Sequence, residues 1–175
     1  GPFMIYLDQF VVGTILGVGA VTYYATPYEV VTRLWIVPGA IVGVLFPAFA
    51  ATINQDRQRT ARLFSQGLKG NFLLLFPVTL VVAAFAQPLL AVWLGPDLAE
   101  RSAPVLQLLV VGVLLNSLAQ VPFALIQGAG RPDMTAKLHL LELPLYLVFL
   151  VWATQEWGIY GTALAWVARV GVDGF

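Results

Sequence analysis

The sequence predicts an all-α membrane protein, a polytopic bundle of about six transmembrane helices. Hydrophobic residues make up 59% of its 175 residues and charged residues only 10%, against roughly 25% charged residues in soluble domains. Long apolar windows alternate with short segments rich in polar residues, glycine or proline. At about 20 residues per span, the chain has room for about six spans and their connections.

The first two spans are predicted to form a hairpin. The first covers about residues 3–18, an apolar run whose one charged residue is Asp8. Tyr23 and Tyr24 follow it, and paired aromatic residues are typical of the boundary between a membrane helix and the lipid headgroups. The second span covers about residues 22–51, which is longer than a bilayer requires. Because two internal prolines interrupt it, we expect this span to be kinked, tilted or projecting into water.

A polar segment leads into the third span. Residues 52–62 are polar and basic, and apolar residues at helical spacing follow them, so this segment is predicted to be an amphipathic lead-in at the interface. The third span covers about residues 71–86 and contains Pro77. The next apolar segment, residues 88–94, is too short to cross a bilayer. We predict an interfacial or re-entrant segment there.

The last three spans complete the bundle. The fourth covers about residues 103–126, and a turn rich in glycine, residues 127–133, separates it from the fifth, about residues 135–154. The sixth covers about residues 158–175 and is expected to be cut short. We therefore expect this single helical unit to be a fragment of a longer protein.

Basic residues are distributed unequally between the two sets of loops. The segments that follow the second and fourth spans hold six, namely Arg57, Arg59, Arg62, Lys69, Arg131 and Lys137. The segments on the other side hold one, Arg101. Since cytoplasmic loops carry an excess of lysine and arginine, the loops near residues 52–70 and 127–137 are predicted to be cytoplasmic.

Charged side chains inside the spans are the candidate functional residues, because each costs about 2.5–3.5 kcal/mol to insert at a helix centre. They are Asp8, Glu29, Arg33, Glu142 and Arg169. Counted from a turn near residue 20, Asp8 and Arg33 lie at a similar depth of about 18–20 Å, and Glu29 lies one helical turn before Arg33. We expect these three to form one polar cluster, which either neutralises itself or lines a water-filled cavity that meets a polar ligand. Glu142 either reaches toward the nearer membrane face or takes part in substrate or ion coupling.

Catalysis and cofactor binding have little support in the sequence. Nine basic and nine acidic residues leave no basic field for nucleic acid. The chain has no cysteine and a single histidine, His139, which is expected to be an interfacial or packed residue. We therefore predict no metal site, no cofactor and no enzymatic activity.

Motifs along the whole chain are similar to those of a known transporter family. They are residues 2–13 (PFMIYLDQFVVG), 23–28 (YYATPY), 33–34 (RL) with Pro38, 46–48 (FPA), 88–90 (PLL) with Gly95, 127–132 (QGAGRP) and 158–165 (GIYGTALA). Their order resembles the second half of the polysaccharide transporters. These are the O-antigen-type flippases for lipid-linked oligosaccharides, within the multidrug/oligosaccharidyl-lipid/polysaccharide exporter superfamily.

The resemblance implies a two-lobe transporter, with this chain as most of the C-terminal lobe and an N-terminal lobe of the same chain as its partner. It implies that the protein moves a polyprenyl-diphosphate-linked oligosaccharide across the cytoplasmic membrane, with H⁺ or Na⁺ as a possible coupling cation. Asp8, Glu29, Arg33 and Glu142 are then candidates for the substrate cavity, with Arg33 as the cation for an anionic substrate. The family often has arginine after the first aspartate, where this chain has Gln9.

Other functions remain compatible with the sequence. Within the same superfamily they are a cation-coupled multidrug exporter and a flippase for peptidoglycan lipid precursors. A membrane-embedded transferase acting on lipid-linked sugars would need a carboxylate at a loop mouth, where Asp97, Glu100 and Asp133 are available. A helical subunit without transport activity is the last alternative.

Overall fold

A computed structural model describes residues 2–173, with side chains from residue 6 onward, and it confirms the predicted all-α fold. The helices are α1 (Pro2–Leu16), α2 (Val18–Thr32), a 3₁₀ turn (Arg33–Trp35), α3 (Ile36–Thr52), α4 (Arg57–Ala84), α5 (Ala86–Leu94), α6 (Pro96–Gly128) and α7 (Pro132–Asp173). Four stretches are long and apolar enough to cross a membrane, Val18–Thr52, Arg57–Ala84, Pro96–Gly128 and Pro132–Asp173. The chain is therefore a multi-pass membrane protein.

Helices α1 and α2 form an antiparallel hairpin that turns at Gly17. The φ angle of Gly17 is +91°, a conformation that glycine adopts readily and other residues rarely do. Across the hairpin, Gly13 faces the side chain of Val21, and Asp8 lies opposite Tyr24. The turn thus lies closer to the N-terminus than the position near residue 20 assumed from the sequence, and α2 begins at Val18.

The stretch from α2 to α3 is one interrupted helix of 35 residues, Val18–Thr52. Its interruption is the 3₁₀ turn Arg33–Trp35, which lies just before Pro38. Because proline has no N–H, Pro38 cannot donate the helical hydrogen bond to the carbonyl of Leu34, and the backbone tightens there. Of the two prolines predicted to disturb this span, Pro38 therefore lies beside the irregularity, whereas Pro47 lies inside the continuous helix α3.

Helix α4 joins the polar lead-in and the third predicted span into one helix. The side chain of Asp56 caps its N-terminus by accepting a hydrogen bond from the Arg59 N–H at 2.8 Å. Further along, the buried Asn71 side chain donates from Nδ2 to the Ser117 carbonyl of α6 at 3.1 Å. This helix therefore begins at Arg57, and its apolar part packs against the centre of the bundle.

Helix α6 is the centre of the bundle. It packs against α2, α3, α4, α5 and α7, and 44% of its most apolar window is buried, compared with 17–22% in the other three long stretches. Leu109 and Val113 of α6 lie in a core that includes Tyr28 of α2 and Trp166 of α7. The outer helices thus keep apolar surface that a bilayer or a further part of the protein is suited to cover.

Helix α7 folds back on itself at Gly158, whose φ and ψ angles are 61° and −140°. The two arms, residues 132–157 and 159–173, run antiparallel, and the Thr154 and Thr162 hydroxyl oxygens lie 2.9 Å apart. Gly161 contacts the Ala153 carbonyl so closely that a Cβ atom there would collide with it. The arms correspond to the predicted fifth and sixth spans; the last two residues of the sixth lie outside the described residues. The number of spans stays a prediction.

Successive connections between the helices lie at opposite ends of the bundle. At one end, Leu16 beside the first turn, Arg101 of α6 and the Gly158 bend line an open cavity of about 630 Å³. At the other end, Gly128 of α6 packs against Phe49 of α3. This alternation is the arrangement of a chain that crosses the membrane repeatedly.

Candidate functional site

The most deeply buried charged side chain within the described residues is Asp8 of α1, which is 0% exposed. Tyr24 of α2 donates a hydrogen bond from Oη to Asp8 Oδ2 at 3.2 Å. Tyr146 of α7 donates from Oη to Asp8 Oδ1 at 2.5 Å. Each carboxylate oxygen therefore has one phenol donor, and the two donors come from different helices. One side chain thus connects three elements of the bundle.

A cation and an aromatic shell surround this network. The Arg169 guanidinium, from the second arm of α7, lies 5.3 Å from the centroid of the Tyr146 ring. Tyr28 stacks on Tyr24 at 5.9 Å and meets the edge of Trp166 at 5.8 Å. Among the described residues the buried Tyr28 hydroxyl has no hydrogen-bond partner, so one donor beside the carboxylate network is unused.

A second polar cluster closes the far end of the α7 hairpin. His139 Nδ1 lies 3.4 Å from Glu142 Oε2 and 3.7 Å from Asp173 Oδ1. Arg169 Nη2 lies 3.5 Å from the other oxygen of Asp173. Between this cluster and Tyr146 is a cavity of about 220 Å³, lined by Glu142, Tyr146, Arg169 and apolar side chains of both arms.

Asp8, Glu29 and Arg33 are not brought together as the expected cluster. Glu29 and Arg33 are both exposed, and within the described residues neither forms an ion pair with Asp8. The reason is the turn at Gly17, which places Asp8 opposite Tyr24. Arg33 is nine residues beyond Tyr24, or about 13 Å further along the helix axis. Their role as cavity residues stays a prediction.

The remaining candidates lie where the sequence could not place them. Glu142 is partly buried and joins His139 and Asp173, away from Asp8. Tyr24, expected at the headgroup boundary, is 0% exposed in the core, whereas Tyr23 contacts Arg101 near the end of the bundle. The sequence indicated that a buried Asp8 needs hydrogen-bond donors, but it did not identify Tyr24 as one of them.

Comparison with known proteins gives a consistent result. Residues 3–100 match the model of a family described as polysaccharide biosynthesis protein. A Shigella flexneri protein named as an O-antigen transporter is 33% identical over 172 residues, which are 98% of this chain and 41% of that protein. No solved structure matches the chain.

More distant relatives carry related names. A Haloferax volcanii protein named as a low-salt glycan biosynthesis flippase is 22% identical, over 99% of this chain and 37% of its own length. The lipopolysaccharide biosynthesis protein WzxC of Escherichia coli K12 is 29% identical, over 92% of this chain and 32% of its own length. The chain therefore spans less than half the length of these relatives.

Proposed function

Because the chain belongs to the polysaccharide biosynthesis protein family, a membership that confirms the resemblance in its motifs, we propose that it forms one lobe of a lipid-linked oligosaccharide flippase. The flippase carries a polyprenyl-diphosphate-linked oligosaccharide from the cytoplasmic to the outer leaflet of the cytoplasmic membrane. Support comes from the names of two relatives, an O-antigen transporter and a glycan biosynthesis flippase. The activity is transport rather than catalysis.

The buried Asp8 is the observation that carries this proposal. A carboxylate inside an apolar bundle is costly, and such residues mark substrate or ion pathways in membrane proteins. Asp8 accepts hydrogen bonds from phenol groups of α2 and α7. A change in the charge of this side chain would therefore affect the relative position of three helices. A protonated Asp8 would itself donate and compete with the tyrosine hydroxyls. Asp8 is therefore the residue at which a coupling cation, H⁺ or Na⁺, acts.

Arg33 and Glu29 belong to the substrate cavity. Glu29 is exposed on α2, and Arg33 is exposed at the 3₁₀ turn that follows it. Neither side chain forms an ion pair within the described residues. The guanidinium of arginine matches the geometry of phosphate oxygens and keeps its charge at any physiological pH. In the two-lobe protein, Arg33 faces the central cavity and binds the diphosphate.

The orientation follows from the two ends of the bundle. The end where Gly128 packs on Phe49 also holds the segments near residues 52–70 and 127–137, which carry six of the nine basic residues. This end faces the cytoplasm. The end with the Gly17 and Gly158 turns faces outward, toward the leaflet that receives the substrate.

Reconstitution of the full-length protein tests this function. In liposomes loaded with a fluorescent lipid-linked oligosaccharide, we expect the protein to expose the inner-leaflet fraction to a glycosidase added outside. Arg33→Ala should slow this exposure, Arg33→Lys should retain part of the rate, and Arg131→Ala is the matched control at the turn between α6 and α7. If the reconstituted protein exposes no glycan but drives exchange of a soluble drug cation, the proposal is contradicted. That result would indicate a multidrug exporter.

A further inference from the structure

The α7 hairpin brings together three polar side chains that do not belong to the Asp8 network. His139 and Glu142 belong to the first arm and Asp173 to the second, and one ligand atom from each lies within 4.8 Å of the others. We propose that these residues form a binding site for a divalent transition-metal ion of the Zn²⁺ class. The ion joins the two arms of α7 at the end away from the Gly158 bend.

The distances fit an ion better than they fit hydrogen bonds. His139 Nδ1 lies 3.4 Å from Glu142 Oε2 and 3.7 Å from Asp173 Oδ1. Hydrogen bonds from nitrogen to oxygen are usually about 2.7–3.2 Å long. Tetrahedral ligands at about 2.0–2.2 Å from Zn²⁺ are separated from one another by about 3.4 Å. His139 Nδ1 therefore lies from each carboxylate oxygen at about the spacing of a coordination shell, and the three ligand atoms lie within 4.8 Å of one another.

An unsatisfied oxygen points to the same conclusion. Asp173 Oδ1, which lies 3.7 Å from His139 Nδ1, is buried and has no hydrogen-bond partner among the described residues, and the Asp173 side chain is only 4% exposed. A buried carboxylate oxygen without a partner is unfavourable, and a metal ion would supply one. Arg169 Nη2 forms an ion pair with Asp173 Oδ2 at 3.5 Å. The other oxygen of this carboxylate, Oδ1, faces His139. Such an outer contact orients a metal ligand.

The ligand set selects the class of ion. One imidazole nitrogen with two carboxylates suits Zn²⁺ and neighbouring transition metals, whereas Mg²⁺ and Ca²⁺ prefer ligands that are all oxygen. The His139 side chain is 42% exposed, which gives an ion access from solvent, and its ring stacks on Phe123 at 5.4 Å. Three protein ligands leave a fourth position for water.

The site has a direct route to the Asp8 network. The 220 Å³ cavity behind it is lined by Glu142 and by Tyr146, which donates to Asp8. A metal ion that fixes the ends of the α7 arms would also restrict Tyr146. The site is therefore placed to regulate movement of α7.

Metal binding to the purified full-length protein tests the site. After removal of bound metal by a chelator, the protein is titrated with Zn²⁺ by calorimetry and with Co²⁺ by visible absorption. We expect the parent protein to bind one more equivalent of metal ion than the His139→Gln or the Asp173→Asn variant. Asp133→Asn, which removes the exposed carboxylate paired with Lys137 on the same arm, should bind as the parent does.

A replacement ligand separates loss of the site from loss of the fold. His139→Cys should keep the equivalent of metal and add a Co²⁺–thiolate absorption band in the near ultraviolet, because cysteine is a metal ligand and this chain has no other. Equal binding by the parent and both ligand variants would overturn the proposal. Loss of binding in His139→Cys with an unchanged unfolding midpoint would also overturn it.

Discussion

Asp8 illustrates how a membrane bundle accommodates a charge. Its two carboxylate oxygens each accept one phenol hydrogen bond, so no buried charged oxygen of this residue is left without a donor. Hydrogen bonds to charged groups contribute about 1.5–3 kcal/mol each. The same bonds hold α1 to α2 and to α7. Under the proposed function, both stability and ion coupling therefore depend on one residue.

Substitutions of Asp8 should separate these two roles. Asp8→Asn keeps the size of the side chain and one acceptor oxygen but cannot exchange a proton, so we expect a normal amount of folded full-length protein with surface polysaccharide largely lost. Asp8→Ala leaves both tyrosine hydroxyls without an acceptor and should lower the free energy of unfolding by about 1–3 kcal/mol. Surface polysaccharide and unfolding in detergent measure the two effects.

The control for Asp8 is Asp97→Asn, which changes an exposed carboxylate at the start of α6 and should affect neither measurement. Full export by Asp8→Asn would show that coupling occurs elsewhere.

The importance of Asp8 was predictable from the sequence, but its partners were not. A charge within an apolar span requires polar neighbours wherever the chain supplies them. Tyr146, however, is 138 residues away, and no periodicity relates positions so distant. The predicted pairing of Asp8 with Arg33 depends on a turn near residue 20, about three residues from the observed turn at Gly17, which is the usual error of element boundaries. In an antiparallel hairpin, such an error changes which residues lie opposite one another.

At the scale of elements, the α7 hairpin depends on close backbone contact between its arms. Gly161 of the second arm packs directly against the Ala153 carbonyl of the first, where backbone atoms cannot move aside as a flexible side chain can. Small residues allow this approach in membrane helix pairs. The polar contact between Thr154 and Thr162 lies beside it.

Gly161→Ala should therefore destabilise the hairpin. We expect the free energy of unfolding of the full-length protein to fall by about 1–3 kcal/mol, the usual effect of overpacking. Gly171→Ala on the same arm is the matched control, since an added Cβ there meets no atom of the described residues within 4 Å. Similar unfolding curves for the two variants would contradict the close packing of the arms.

Proline and glycine made the elements largely predictable. Pro38 signalled the irregularity between α2 and α3, and Gly158 marked the change of direction within α7. The lead-in and third span are one continuous helix, because the polar residues from Arg57 onward have good helix propensity and Asp56 caps them. Hydropathy indicates where a helix enters the membrane, and α4 begins before that point, at Arg57.

At the scale of the whole molecule, α6 is the axis on which the other helices pack. The three other long stretches bury 17–22% of their most apolar windows, compared with 44% for α6. Sequence composition could predict that all these helices are apolar. It could not rank them, because all four have high hydropathy and only the packing decides which one is surrounded.

Labelling of single cysteines should reveal the orientation of the bundle. In a full-length protein without other cysteines, Gln155→Cys near the Gly158 bend should react in intact cells with a thiol reagent that does not cross membranes. Gln55→Cys, in the turn before α4, should react only after the membrane is opened. Both positions are exposed, so access to the reagent is limited by the membrane. The reverse pattern would place the basic end outside.

The distance in sequence between Asp8 and Tyr146 has a consequence for biosynthesis. At about 5–20 residues per second, the ribosome makes Tyr146 about 7–28 s after Asp8. During that interval the carboxylate has Tyr24, which follows only 16 residues later, but lacks its donor from α7. The first hairpin must therefore wait beside the translocon or in the bilayer with one bond unmade. Its hydrogen-bond network is complete only when the α7 hairpin arrives.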